Sequence, residues 1–117
     1  MQVIENRSKV SSDQFSQATQ IIREILKRSR ITVEEMLLFG SRARDEAHLD
    51  SDWDFYVLVD AELPFPQRQY LVTEIKRELA RLRIPNDVIL KSSEQFHSMK
   101  VYPGHLAYEV ARDGVSV

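Results

Sequence analysis

The sequence predicts a mixed α/β fold, an α+β arrangement in which a small mixed sheet of three to four strands is flanked by helices. Two observations predict it: apolar residues recur at steps of three and four in two long segments, and short apolar runs of strand length lie between and after them. A chain of 117 residues fills one core and not two, so residues 1–117 are expected to form a single domain of helices packed on a sheet.

The first helix is expected over residues 12–29, because its apolar residues fall on one helical face: Phe15, Ala18, Ile22, Ile25 and Leu26. Ser11 and Gln14 have the spacing of a capping box, which indicates that the helix begins there. The first ten residues are polar and lack a helical or strand period, so they are expected to form a frayed arm or an edge strand.

Two strands follow, and they are expected at Val33–Phe39 and Trp53–Val59. The polar segment between them is too long for a tight turn, and a short helix beginning at Ser41 is expected in its first part. Pro64 marks the start of a second amphipathic helix, since proline is tolerated in a first turn, and an apolar stripe continues this helix to Leu82.

The last part of the chain alternates short elements. A third strand is expected at Asp87–Leu90, and Ser92 with Gln95 forms a second capping box that opens a short helix. A last helix is expected from Pro103 up to the glycine at position 114, and the three residues after that glycine are expected to form a final strand.

The composition argues against several classes of function. The net charge of −2 argues against direct nucleic-acid binding by bulk electrostatics. No cysteine is present, so a disulfide framework, thiolate chemistry and a zinc–cysteine site are excluded. No apolar stretch reaches the length of a signal peptide core or a membrane span, and we therefore expect a cytoplasmic protein with no membrane association.

The pattern that points to chemistry is Gly40-Ser41 at the end of one apolar run and Asp52-Trp53-Asp54 at the start of the next. Glycine allows another group to approach the backbone closely, and backbone N–H groups at a turn attract anions. Asp52 and Asp54 are two residues apart in an extended segment, so their carboxylates project from one face. These residues predict a place where a divalent cation and a phosphate group bind together.

Two other interpretations of the acidic pair are weaker. The alternating aspartates from Asp50 onward have the spacing that opens a calcium-binding loop, but the loop positions that need glycine and glutamate hold Phe55 and Ala61. Alternatively, the pair only protects an edge strand from pairing with another chain. The upstream Gly-Ser and the downstream Asp87 both disfavour that alternative.

The same residues carry a resemblance to a known family. The run Gly40-Ser41-Arg42-Ala43-Arg44, followed by Asp52-Trp53-Asp54, resembles the signature of the DNA polymerase beta-like nucleotidyltransferase superfamily. It looks more specifically like the minimal nucleotidyltransferases, short MntA-like antitoxins that are often paired with a HEPN-domain toxin. The chain departs from this pattern at Asp45, where the family usually has glycine, and the charge there either weakens phosphate binding or faces solvent.

The resemblance implies a role for each of these residues. Asp52 and Asp54 would share two magnesium ions, for which manganese could substitute, and Asp87 would either complete one metal site or take the proton of the acceptor hydroxyl. Because close carboxylates repel, their pKa values are expected to be raised when no cation is bound. ATP would be the nucleotide donor, and its phosphates would be bound by Gly40, Ser41, Arg42 and Arg44. For the two arginines, the alternative is that they are solvated loop residues.

As a function, the resemblance implies transfer of a nucleoside monophosphate, AMP from ATP, to a hydroxyl of a partner protein. The implied partner is a HEPN toxin, which adenylylation of a tyrosine would neutralise, so that this protein would act as an antitoxin. The alternative is a binding module without catalytic activity that neutralises the toxin by forming a complex with it. A small-molecule resistance transferase would need an additional substrate domain. A homo-oligomer is compatible with the sequence.

Overall fold

The computed structural model describes residues 2–117, with side chains from residue 13 onward. The elements follow in the order helix, strand, strand, helix, strand, helix, helix, strand. Their bounds are α1 Gln2–Arg28, β1 Val33–Phe39, β2 Trp53–Val59, α2 Phe65–Arg81, β3 Asn86–Ser92, α3 Ser93–Met99, α4 Leu106–Asp113 and β4 Val115–Ser116.

The first helix is longer than the sequence pattern predicts. It begins at Gln2, so the expectation of a frayed arm or edge strand over the first ten residues was wrong, and Ser11 lies inside the helix and not at its start. No glycine or proline interrupts this segment, so a polar helix can continue without the apolar period that identifies the rest of α1. Neither α1 nor any other helix within residues 2–117 is long and apolar enough to cross a bilayer.

The four strands form one mixed sheet in the order β3-β2-β1-β4, which confirms the predicted fold class. β1 is antiparallel to both β2 and β4, whereas β2 and β3 are parallel. The bounds of β1 and β2 agree with the predicted ones, because apolar runs flanked by polar segments define both. The parallel pairing of β2 with β3 aligns the starts of these two strands at one end of the sheet.

The two faces of the sheet carry separate apolar clusters. On one face, α1 and α2 pack against the side chains of β2 that alternate from Trp53 to Val59, and Trp53 is buried there. On the other face, α3 and α4 pack against Tyr56 and Leu58. Asp54 belongs to this second face, since it alternates with Trp53 along the strand.

The two short helices on the second face begin at identifiable signals. The hydroxyl of Ser92 accepts a hydrogen bond from the backbone N–H of Gln95 at 3.1 Å, which confirms the capping box before α3. The prediction that Pro103 begins α4 was wrong, because Gly104 has a φ of +90° and the helix can begin only after it, at Leu106. Gly114 ends α4, as expected.

Candidate active site

The three carboxylates predicted from the sequence lie at one end of the sheet. Asp54 is in register with Phe39 of β1 on one side and with Asp87 of β3 on the other. Residues in register on neighbouring strands point to the same face, so Asp54 and Asp87 both lie on the face that α3 and α4 cover. Asp52 directly precedes β2. The fold therefore brings together three residues that are up to 35 positions apart in the chain.

Gly40 follows β1 directly and opens a 3-10 turn, Gly40–Arg42. Its φ of +74° lies in the left-handed region that favours glycine. A Cβ atom at this position would overlap Oδ2 of Asp54 and lie 3.1 Å from its Cγ. The close approach expected at this glycine is therefore made by the Asp54 carboxylate. The turn begins at Gly40, one residue before the predicted start at Ser41.

The charge on Asp54 is not compensated by the surrounding protein. Burial, and to a smaller extent the neighbouring charges of Asp52 and Asp87, raise the pKa of Asp54 to about 6, whereas Arg44 acts in the opposite direction. Within the described residues, the side chains of Asp52 and Asp54 form no hydrogen bond or ion pair. The pKa of Asp54 is thus raised, as expected for the carboxylates, but burial is the larger cause and repulsion the smaller one. A bound cation would remove the repulsion.

Asp87 differs from the other two carboxylates because it has a cationic partner. Its Oδ1 lies 3.3 Å from Nζ of Lys76, which extends from α2. Both side chains are about half exposed, 45% and 52%, so the pair is screened by solvent and is easily opened. The sequence analysis did not identify Lys76. Its position beside Ile75 places it at the border of the apolar stripe of α2, but the stripe alone does not show which border faces β3.

The carboxylates fit a magnesium site that is completed by a nucleotide. No group of three His, Cys, Asp or Glu side chains within the described residues converges on one point as a finished metal site. Magnesium, however, is commonly held by one or two carboxylates together with substrate phosphates and water, and not by an all-protein cage. Asp52 and Asp54 supply two uncompensated carboxylates of that kind, and Asp87 lies beside them.

A cleft of about 200 Å³ lies next to Gly40, between the end of β1 and α4. It is lined by Phe39, Gly40, Arg44, Leu106, Glu109, Val110 and Asp113. The Nε of Arg44 donates to the Glu46 carboxylate at 2.8 Å, and the Arg44 side chain is about half exposed. The Ser41 hydroxyl forms no hydrogen bond within the described residues. The cleft therefore offers the cationic side chain of Arg44 and the Gly40 turn, together with the carboxylates of Glu109 and Asp113.

Arg42 has an environment that the sequence analysis did not foresee. Its guanidinium lies over the ring of Trp53, 4.1 Å from the ring centroid. It also donates hydrogen bonds to the backbone carbonyls of Leu49 and Ser51. Burial lowers the pKa of Arg42. Arg42 is thus not a solvated loop residue, and its guanidinium is engaged by its own loop and does not line the cleft.

The sequence model of the family described as "Polymerase beta, Nucleotidyltransferase" matches residues 20–117. This range contains all four strands and every site residue described above. The chain belongs to this family. None of the curated proteins matches the chain.

Two solved structures share the fold of this nucleotidyltransferase. One is a toxin–antitoxin with AMP-PNP, with a TM-score of 0.56 and 22% identity over 83% of this chain and 69% of the other. The second is a mutant of the toxin–antitoxin MntA–HpeT, with a TM-score of 0.54 and 21% identity over 85% of this chain and 70% of the other. At these identities, the likeness shows a common fold.

The departure of this nucleotidyltransferase from the resembled pattern at position 45 has a conformational explanation. Asp45 has a φ of +58°, again in the left-handed region. Glycine is the least strained residue there, and aspartate is among the few others that adopt this conformation readily. The Asp45 side chain is exposed to solvent.

Asp54→Asn is expected to stabilise the folded protein in a pH-dependent way. Because the pKa of Asp54 is raised in the folded state from 3.8 to about 6, its ionised form opposes folding. This penalty is absent at pH values below 3.8, the pKa of Asp54 in the unfolded chain, and it grows as the pH rises towards 6. Above pH 6 the penalty is constant. After a discount for solvent screening, we expect a gain of about 1 kcal/mol at neutral pH.

The free energy of unfolding in urea, measured near neutral pH and again near pH 3.8, gives this gain in stability. It should be clear at neutral pH and should shrink towards zero in acid. The exchange Asp60→Asn, at the opposite end of β2, controls for the loss of a carboxylate as such. An equal effect of Asp54→Asn at both pH values, or a loss of stability at neutral pH, would contradict the assignment.

Gly40→Ala is expected to destabilise the fold through contact with Asp54, beyond the strain of a positive φ. Gly104 is the matched control, because it also has a positive φ but has no atom within 4 Å of an added Cβ. Left-handed strain at a residue other than glycine costs about 1–2 kcal/mol, and Gly40→Ala should exceed the cost of Gly104→Ala by a further ~1 kcal/mol or more.

A double-mutant cycle isolates the contact between Gly40 and Asp54. In an Asp54→Ala background, the overlapping carboxylate is gone, so the cost of Gly40→Ala should fall to that of Gly104→Ala. The free energies of unfolding of the single and double variants give this coupling. A zero coupling energy would mean that the turn does not close on the Asp54 carboxylate.

Proposed function

We propose that this nucleotidyltransferase uses divalent metal ions to transfer AMP from ATP to a hydroxyl of a partner protein, and that it acts as an antitoxin. The observation that carries the proposal is the position of Asp54, which lies against the Gly40 turn, in register with Asp87 and close enough to Asp52 to be affected by its charge. Metal-assisted nucleotidyl transfer requires carboxylates that can hold a cation, and Asp52 and Asp54 have no ion-pair partner within the described residues. The HEPN identity of the partner comes from the family resemblance.

In this reaction, an acceptor oxygen attacks the α-phosphorus of ATP, and the bond from that phosphorus to pyrophosphate breaks. Bound magnesium would stabilise the charge on the attacking and leaving oxygens. Asp52 and Asp54 would hold the metal, and the glycine turn with the Ser41 hydroxyl would receive the phosphates. Asp87, in register with Asp54, would either bind metal or accept the proton of the acceptor hydroxyl.

Arg44 is proposed to neutralise the departing pyrophosphate. It lines the cleft beside Gly40, and its planar guanidinium matches phosphate oxygens. In the absence of nucleotide, its partner is the exposed Glu46 carboxylate. Exposed ion pairs of this kind contribute about 1 kcal/mol or less, so a phosphate group can displace Glu46 at little cost.

The solved neighbours support nucleotide binding and the antitoxin role. One of them contains AMP-PNP, an analogue of ATP, together with a toxin–antitoxin. The other is a toxin–antitoxin that carries two aspartate-to-glutamate substitutions spaced two residues apart, the same spacing as Asp52 and Asp54. A nucleotide site and a toxin partner are therefore proposed for this chain as well.

The second candidate function is a binding module that neutralises a toxin without catalysis. A specific observation favours it: Asp87 and Arg44 are both engaged by other side chains of the protein, Lys76 and Glu46. In a binding module, those ion pairs would be permanent. In an enzyme, they open when metal and nucleotide bind.

Label transfer separates the enzyme from the binding module. ATP labelled on its α-phosphate is incubated with the protein and its partner toxin, and transfer is measured for the wild type, Asp54→Asn and Asp87→Asn. For an enzyme, each substitution should reduce transfer by several powers of ten, about 10³-fold, while association with the partner survives. Asp60→Asn is the control and should transfer at the wild-type rate.

Mass spectrometry of the co-expressed partner gives the second readout. An enzyme adds the mass of AMP to a hydroxyl side chain of the partner only in the wild-type and control pairs. If the wild-type partner carries no added mass and both Asn variants still neutralise it, the protein is a binding module.

A further inference from the structure

We propose that Arg42 is a positioning residue that holds Asp52 in the place where it binds metal, and that it does not bind the nucleotide phosphates itself. This inference rests on the proposed metal-dependent function. Arg42 belongs to the Gly40–Arg42 turn, while Asp52 lies at the far end of the loop that follows. A contact between these two places links the phosphate-binding turn to the metal-binding carboxylate.

The contacts of Arg42 bracket Asp52 on both sides along the chain. Nη2 donates to the carbonyl of Ser51 at 2.9 Å, one residue before Asp52, and to the carbonyl of Leu49 at 3.2 Å. The guanidinium carbon lies 4.1 Å from the centroid of the Trp53 ring, one residue after Asp52. One side chain therefore contacts both sequence neighbours of the carboxylate.

Asp52 needs such support because it precedes the first ladder residue of β2, Trp53. The backbone of Asp52 itself belongs to no strand. The loop before Asp52 forms hydrogen bonds within itself. The backbone N–H of Ser51 donates to the carbonyl of His48, and the backbone N–H of His48 donates to the Ser51 hydroxyl. Arg42 is the side chain that ties this loop end back to the turn after β1.

Trp53 provides a rigid base for this arrangement. It is 5% exposed, packs in the core beneath α1 and α2, and its indole N–H donates to the amide oxygen of Gln14 at 3.1 Å. Its backbone N–H donates to the carbonyl of Pro85 at 2.9 Å. A guanidinium stacked on this ring is therefore fixed relative to the sheet, and the Ser51 carbonyl is fixed with it.

The orientation of Arg42 argues against direct phosphate binding. Its Nε is buried without a hydrogen-bond partner among the described residues, and Arg42 does not line the cleft beside Gly40. Lysine is a poor replacement, because it lacks the planar guanidinium that lies over the Trp53 ring while Nη2 donates to two carbonyls. Arg42→Lys therefore keeps the charge and removes the geometry.

The test compares Arg42→Lys with Arg68→Lys. Arg68 is the matched control, since it stacks over Phe65 at 5.5 Å near the start of α2, away from the carboxylates. Manganese is titrated by calorimetry into each protein in the presence of saturating AMP-PNP. We expect Arg42→Lys to bind manganese about tenfold more weakly than wild type, the loss typical of a disturbed support for a metal ligand, and Arg68→Lys to bind it as wild type does.

Kinetics separate positioning from direct binding. In label transfer, Arg42→Lys should need more metal for half-maximal rate, excess metal should restore the rate, and the KM for ATP at saturating metal should stay near the wild-type value. In an Asp52→Asn background, Arg42→Lys should weaken manganese binding no further, because its effect acts through Asp52. The fluorescence of Trp53, the only tryptophan, reports that the variant is folded and that the stack has changed.

Three outcomes overturn the inference. A raised KM for ATP that excess metal does not restore would show that Arg42 binds phosphate. A lower melting temperature with unchanged manganese affinity would show a purely structural role, and an undiminished effect in the Asp52→Asn background would show that Asp52 does not mediate it. Failure of the proposed function looks different, since the wild type would then transfer no label while the shift in manganese affinity would remain.

Discussion

The contact between the Asp54 carboxylate and the Gly40 turn is the constraint on which the rest of the site depends. Asp54 lies between β1 and β3, in register with Phe39 and Asp87, so the sheet fixes its position from both sides. The turn closes over it because glycine has no side chain there. The result is a partly buried carboxylate with a raised pKa, whose charge the surrounding protein does not balance. Such a group opposes folding unless a cation binds, which ties the stability of this domain to its proposed chemistry.

Much of the fold was predictable because the strands are bounded by abrupt changes in polarity. The apolar runs of β1 and β2 both end in polar segments, and their predicted bounds agree with the structure. The starts of α1 and α4 were not predictable in the same way. The first part of α1 is helical without an apolar period. The helix α4 begins only after Gly104, because that residue has a positive φ, which the sequence does not reveal.

The carboxylates and the glycine turn were also predictable, since strand alternation and the spacing of the motif place them on one face. The roles of the cationic side chains were not. Arg42 turns towards Trp53 and its own loop, and Lys76 reaches Asp87 from another element. Both contacts depend on how α2 and the loop pack against the sheet. Long side chains near a border of a helix or at a turn can reach several partners, and only the tertiary structure selects one.

The central claim is that Asp52 and Asp54 form half of a metal site that a nucleotide completes. Titration of manganese into the wild-type protein with and without AMP-PNP, followed by water proton relaxation, tests it most directly. The account predicts weak binding without nucleotide, binding at least about tenfold tighter with it, and loss of that enhancement in Asp54→Asn. Equally tight binding without nucleotide, or an enhancement that persists in Asp54→Asn, would contradict it.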